Sequence, residues 1–181
     1  IVLVKNEDYW GEKAAFDKVT MKPIKSNPTR VAALLSGDVD MIDSVPTADI
    51  ETLKKTDGVT LASGISNRVI YLHMDQFRDN SPFITGTDGK NPLKDLRVRQ
   101  AISMAINRDA IVSRVMEGIA IPAGQLLPPG FFGTSDKLKP QAYNPKRAKE
   151  LLAEAGYPNG FGLTIHGPND RYINDAKIAQ A

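Results

Sequence analysis

The chain of 181 residues contains no cysteine. That excludes disulfides, zinc–thiolate centres and a cysteine nucleophile, and it leaves the compartment open. Histidine is scarce too. His73 and His166 are the only two, they are distant in sequence, and neither has a partner at the i+4 spacing of a zinc-binding helix. Each reads as a surface or half-buried strand residue. No apolar run approaches the roughly 18 residues of a membrane helix. No charge dominates: 23 Lys and Arg against 21 Asp and Glu give a net charge of +2. The two signs are scattered, so no basic face for nucleic acid stands out. There is no Gly-x-Ser-x-Gly elbow, and Ser36, Ser44 and Ser103 sit in helix or strand contexts without an evident base. A glycine-rich phosphate loop is also missing, because the segments GTDG and GPNDR are turn sequences.

What is present is the composition of an ordinary soluble globular protein, 41% hydrophobic and 24% charged, long enough for one or two domains and a sizeable core. The sequence opens on the apolar run IVLV and stops at Ala181 inside NDAKIAQA, a helical-looking stretch with no stop signal. The expectation is a piece of a longer protein, in which case a missing targeting signal says nothing.

Strand and helix signals alternate along the chain. Residues 1–5 read as a buried strand and 19–24 as a second. Asn27-Pro28 starts a helix, with Asn as the cap and Pro at a position that needs no N–H. Val31, Leu34 and Leu35 give it one buried face, and Gly37 ends it. The alternation DVDMIDSV over 38–45 predicts a half-buried strand. Residues 46–56 predict a short surface helix with Ile50 and Leu53 inward, 59–62 a strand, and 67–74 (NRVIYLHM) a longer strand rich in β-formers. Residues 76–90 are polar, with Gly and Pro breakers, and read as an exposed loop.

Residues 96–106 form an amphipathic helix with Val98, Ala101, Ile102 and Ala105 on one side. Asn107 breaks it and caps the next, which carries Ile111, Val112 and Val115 and ends at Gly118. Residues 119–133, with Pro122, Pro128 and Pro129, form a structured loop. Asn144-Pro145 starts another helix, stopped by Gly156. Residues 161–166 are a strand, and a helix begins from Tyr172. This pattern argues α/β or α+β, with a domain boundary near residues 64–67. The similar openings at Asn27 and Asn144 reflect shared helix-start chemistry, not a repeat.

Two groups of charges need weighing. Asp38, Asp40 and Asp43 could serve metal or acid–base work, but their alternation makes them the solvent face of a strand. Arg97 and Arg99 open a helix, where positive charge is not favoured by the dipole, so a structural ion pair is the expected role. Arg171 stands apart. It follows a strand and a Gly167-Pro168 turn, just before a helix, where ligands of open α/β sheets collect. An arginine fork pairs well with a carboxylate. Spacing alone leaves a surface arginine as the other reading.

Several long motifs occur in fixed order: Asn6–Trp10 (NEDYW), Gly37–Asp40 (GDVD), Asn67–Met74, then Pro92–Arg108 (PLKDLRVRQAISMAINR), and Asn144–Gly160 (NPKRAKELLAEAGYPNG). Together they resemble the family 5 solute-binding proteins of ABC transporters, the peptide-, dipeptide- and nickel-binding group, and the resemblance spans essentially the whole chain. It implies an α/β, two-lobed, periplasmic-binding-protein-like (type II) fold, here as partial lobes: residues 1–65 part of lobe 1, residues 66–181 the first part of lobe 2, with 67–74 a crossing hinge strand. It implies a binding protein that does no covalent chemistry and needs no cofactor. Its partners would be a peptide or other small solute and a cognate ABC permease, and it would work as a monomer without nucleic acid. The compartment would be the periplasm, or the extracellular face of a Gram-positive host with a membrane anchor. Nickel or metal-chelate capture is the alternative within the fold, and a hydrolase is a remote one. In dipeptide-binding relatives an arginine soon after the strand that follows the A-G-Y-P-x-G segment pairs with the peptide carboxylate. Arg171 matches it, with Asn169 beside it as a second ligand-binding candidate. The aspartate that receives the peptide amine in those relatives would lie beyond Ala181.

Overall fold

The structure, a computed structural model, describes residues 1–168, 171–172 and 174–181. They form two compact units, Ile1–Thr52 and Leu53–Ala181.

The first unit opens with an antiparallel pair, β1 (Val2–Val4) and β2 (Lys18–Thr20), in the register Val2 opposite Thr20 and Val4 opposite Lys18. Both strands are exposed along their whole length. This corrects the expectation of a buried strand at residues 1–5: the apolar side chains form the strand, but no layer covers them among the described residues. Helix α1 (Asn27–Leu35) follows. Its cap is Ser26, whose Oγ accepts from the Thr29 amide at 3.5 Å, and not Asn27. Asn27 instead accepts from Arg30 Nη2 at 2.7 Å, and the same nitrogen donates to the Ser44 carbonyl at 2.7 Å. Val31 is buried and Leu35 is exposed. Residues 38–45 are irregular, with Ser44 at φ 55°. Among the described residues the polar–apolar alternation there finds no neighbouring strand to ladder with, and Arg30 takes one of its carbonyls.

A 3₁₀ turn at Thr47–Asp49 leads into the short helix α2 (Ile50–Lys54), which buries Ile50 and Leu53 as the spacing predicts. The boundary between the units falls within it.

In the second unit neither residues 59–62 nor residues 67–74 form a strand. Residues 67–74 are largely exposed. β-propensity describes a side chain that suits a pleated surface, and it makes a strand only where a partner supplies the ladder. No partner is present among the described residues. The reverse error concerns residues 76–90. This loop contains β3 (Ile84–Thr85), and Ser81 and Ile84 are buried. β3 pairs antiparallel with β4 (Gly162–Leu163), Ile84 opposite Leu163. The Thr164 amide extends the pairing to the Phe83 carbonyl at 2.9 Å.

Asn91 fixes this loop. It is buried, and its Nδ2 donates to the carbonyls of Asp75 and Arg78 at 2.8 and 2.7 Å. Its Oδ1 accepts from the Leu93 amide at 3.0 Å, capping the 3₁₀ turn Pro92–Lys94. The buried amide is thus satisfied at both ends, as burial requires.

The core lies between α3 (Leu96–Ala105) and α5 (Pro145–Glu154). Ala101 packs with Ala148 and Leu151, while Val98 packs with Ile84 and Leu93. Helix α5 has the cap and the stop read from sequence. Asn144 Oδ1 accepts from the Arg147 amide at 2.9 Å. At the other end Gly156 takes φ 92°, its amide meets the Ala153 carbonyl at 3.0 Å, and the Tyr157 amide meets that of Leu152 at 2.8 Å. This is the paired bonding of a Schellman stop, which needs a left-handed residue at the glycine position. Tyr157 then reaches back to the core and meets Phe161 edge-on at 5.3 Å.

Asn107 breaks the helical run. Its Oδ1 accepts from the Ala110 amide at 3.0 Å and starts α4 (Arg108–Ala110), which passes into a π-helical turn at Ile111–Val115. Helix α6 (Asp175–Gln180) packs against that turn.

Two substitutions separate cap from core. Asn107→Ala should lower stability by about 0.5–2 kcal/mol, and Leu151→Ala by about 2–5 kcal/mol, in urea unfolding followed by circular dichroism. A smaller loss for Leu151→Ala than for Asn107→Ala would contradict the placement of the core between α3 and α5.

Candidate functional site

The arginines of the segment Pro92–Arg108 turn out to be structural. Asp95 caps α3 by accepting from the Arg97 amide at 2.8 Å. The Arg97 side chain grips the same carboxylate, Nε to Oδ1 at 3.1 Å and Nη2 to Oδ2 at 2.6 Å, while Nη1 donates to the Glu154 carbonyl at 2.7 Å. One guanidinium therefore joins the start of α3 to the end of α5. Its charge sits by a helix C-terminus, where the dipole favours it. Arg99 Nη1 donates to the carbonyls of Leu93 and Lys94, both at 2.9 Å. Arg108 ties the end of α3, Nη1 to the Ser103 carbonyl and Nη2 to Ser103 Oγ, both at 2.9 Å. Ser103 is thereby a partner of Arg108, far from any nucleophilic arrangement.

The other sequence candidates stay apart. Asp38, Asp40 and Asp43 are exposed, and Asp43 Oδ1 accepts from the Ser44 hydroxyl at 3.1 Å. They lie in irregular backbone, not on the face of a strand. Among the described residues no three His, Asp or Glu side chains are grouped so as to hold a metal ion. His166 stacks edge-on against Phe83 at 4.6 Å, and His73 lies tilted at 6.2 Å from Tyr71.

Arg171 sits on the turn between β4 and α6, as expected from sequence, and is exposed. Asn169 lies outside the described residues. The turn is held from below. Asp175 is buried, and its Oδ2 accepts from the amides of Arg171 and Tyr172 at 3.0 and 3.1 Å. Its Oδ1 accepts from the Ala176 amide at 2.8 Å. Those amides, that of Tyr172 foremost, hold the carboxyl below the usual aspartate range despite burial. Asn174, in the left-handed region at φ 58°, donates from Nδ2 to the Val115 carbonyl at 2.8 Å and docks the turn on the π-helical segment. Above this base the Arg171 guanidinium lies 5.7 Å from the Tyr172 ring centre, and its Nε donates to the Tyr172 hydroxyl at 3.4 Å. That bond raises the arginine pKa further above its ordinary value. Nη1 and Nη2 meet no protein acceptor among the described residues. Sequence reading found Arg171 but missed Tyr172, Asn174 and Asp175. The available signal was an aspartate four residues after the arginine at the start of a helix.

Apart from the Arg171 turn, the described residues form an open depression of about 440 Å³ between the turn at residues 86–90 and the end of α5 at residues 155–160. Asp88 and Lys90 are its only charged lining residues, and Arg171 does not line it.

The chain has relatives among known proteins. Over residues 1–181 it matches the family described as "Bacterial extracellular solute-binding proteins, family 5 Middle". The chain belongs to that family. It is 32% identical over 161 residues to heme-binding protein A of Haemophilus influenzae, covering 89% of this chain and 27% of the relative. It is 30% identical over 183 residues to the dipeptide-binding protein of Escherichia coli (97% and 32%), and 35% identical over 164 residues to the glutathione-binding protein GsiB of Pectobacterium atrosepticum (89% and 29%).

Among solved structures it superposes on the periplasmic binding protein DppA of Helicobacter pylori in complex with the peptide STSA, with a TM-score of 0.67, 32% identity, and 88% of this chain on 29% of that one. NikA of Brucella suis in complex with Fe(III)-EDTA gives a TM-score of 0.62 at 28% identity, 86% on 30%. The chain thus spans less than a third of the length of these relatives. The fold is that of the two-lobed type II periplasmic binding proteins, of which this chain is part. The family binds solutes and is not a family of enzymes. No helix among the described residues is long and apolar enough to cross a membrane.

The ion pairs fix a pH response. Asp95, Asp79 and Glu154 are all held below their ordinary pKa, chiefly by hydrogen bonds from Arg97, Lys94 and Arg147 respectively. A carboxyl with a depressed folded pKa stabilises the fold above its unfolded value, about 3.9 for Asp and 4.3 for Glu, and that stability is lost as pH falls through the folded value. Melting temperature should therefore hold from neutral pH to about pH 5 and drop below about pH 4. Arg97→Gln should flatten the drop. An unchanged profile in that variant would show that the Arg97 bridge carries none of it.

Proposed function

We propose that this chain is part of the substrate-binding component of an ABC importer, one that captures a peptide or dipeptide-like solute between two lobes and delivers it to a permease. On this reading residues 1–65 belong to the first lobe and residues 66–181 to the second, and the protein works as a monomer in the periplasm or on the outer face of the cell. The observation that carries the reading is Arg171: an exposed guanidinium on a pinned turn, with both terminal nitrogens open to a ligand. Two terminal N–H groups side by side match the two oxygens of a carboxylate. The relatives support the class of ligand, since they include dipeptide-, glutathione- and peptide-binding proteins, and peptides carry such a carboxylate. Asn169 is the second proposed contact. Transport would follow from lobe closure, driven by the ligand's higher affinity for the closed state.

A metal-chelate receptor is the second reading, favoured by the likeness to NikA with Fe(III)-EDTA. EDTA also presents carboxylates, so Arg171 would serve either cargo. Thermal-shift assays with short peptides and with nickel or iron chelates separate the two.

In the full-length protein, Arg171→Ala should weaken binding of a free-carboxylate peptide roughly ten- to a hundredfold and change binding of its C-terminally amidated counterpart much less. Arg171→Lys should recover only part of the loss, because a point charge does not reproduce the planar fork. Equal losses for acid and amide peptides in calorimetry would return Arg171 to the role of a surface arginine.

A further inference from the structure

We infer that Asp175 is a positioning residue for the anion-binding group at Arg171, acting through the backbone and through the dock that Asn174 makes on the π-helical turn. The inference rests on the reading of Arg171 given above. An exposed arginine on a free loop samples many rotamers and many backbone positions, and binding must then order both. Here the backbone is already fixed. A single buried carboxylate oxygen of Asp175 accepts from the amides of Arg171 and Tyr172. The next residue back, Asn174, reaches the Val115 carbonyl across 59 positions of sequence. That carbonyl belongs to the last residue of the π-helical turn Ile111–Val115, a kind of distortion that recurs at functional sites.

The chemistry sets the direction of approach. With Nε turned to the Tyr172 hydroxyl, the side-on pair of the guanidinium (Nε with Nη2) is engaged. The end-on pair, Nη1 with Nη2, is what the turn offers to solvent. An anion arriving from above would therefore meet two parallel N–H groups whose base is locked by Asp175. Besides Asp175, the charged residue on α6 is Lys177 and that on the π-helical turn is Arg114. Among the described residues no basic side chain is paired with Asp175: its carboxylate accepts from the backbone amides of Arg171, Tyr172 and Ala176. Its work is to hold the main chain in place, leaving the cation free for a ligand.

The test uses the full-length protein and two pools of tripeptides, one with free C-terminal carboxylates and one amidated, with binding read by calorimetry. Asp175→Asn presents an amide –NH₂ where one carboxylate oxygen accepts, and Asp175→Ala removes all the acceptors. Both should weaken binding of the acid pool roughly fivefold or more and leave the amide pool nearly unchanged. In the Arg171→Ala background Asp175→Asn should cause no further selective loss, because what it positions is gone. The Arg171 and Tyr172 amide protons, followed by NMR, should exchange faster in Asp175→Asn while the amides of α5 keep their protection, which supports the assignment and keeps it testable if Asp175→Ala does not fold. A loss equal for both pools, or full acid-pool affinity in Asp175→Asn, overturns the positioning role while Arg171→Ala still shows its selective effect. Failure of the parent protein to prefer the acid pool overturns the reading of Arg171, and this inference with it.

Discussion

The larger unit depends on the close approach of α3 and α5. Ala101 and Ala148 are both buried at their contact, and small side chains there let the two helices approach closely. Leu151 and Val98 then fill the space to either side. Everything attached to these helices inherits their position. The Schellman turn after α5 sends the chain through Tyr157 and Phe161 into β4, and β4 fixes β3. The break after α3 sends it into the π-helical turn on which Asn174 docks. Arg97 locks the pair at one end and the Asn144 amide, bonded to the Met104 carbonyl at 2.9 Å, locks it at the other. Arg171 thus stands on a chain of contacts that leads back to two alanines.

Much of this was legible in the sequence because it is local. A cap needs one side chain within three residues of the amide it serves, so Asn107, Asn144 and Gly156 announce themselves. A buried helical face needs only the 3.6-residue period, so Val98 and Ala101 do as well. Strands failed for the opposite reason. Residues 38–45 and 67–74 have the pattern and the residue types, but pairing is a property of two segments. The two-residue strand β3 went unseen inside a polar loop because its partner lies nearly 80 positions away. Burial of residues 1–5 was misjudged in the same way, from apolar content without knowledge of what covers it.

The functional region was legible in part. Arg171 could be found from its place after a strand and before a helix. Its support was missed, because Asp175 reads as an ordinary acidic residue in a first helical turn, and the bonds from its carboxylate to the amides of Arg171 and Tyr172 are seen only in the structure. Arg97, Arg99 and Arg108 satisfy carbonyls and a cap. Their guanidinium groups are consumed by the fold, whereas that of Arg171 keeps its end free.

The most direct test is a crystal structure of the full-length protein purified without removing its native ligand. The account predicts an anionic oxygen of the ligand within about 3 Å of both Nη1 and Nη2 of Arg171, with the Asp175 bonds to the Arg171 and Tyr172 amides intact. A bound ligand with no acidic group near Arg171, or an Arg171 side chain directed into bulk solvent away from the ligand, would contradict it.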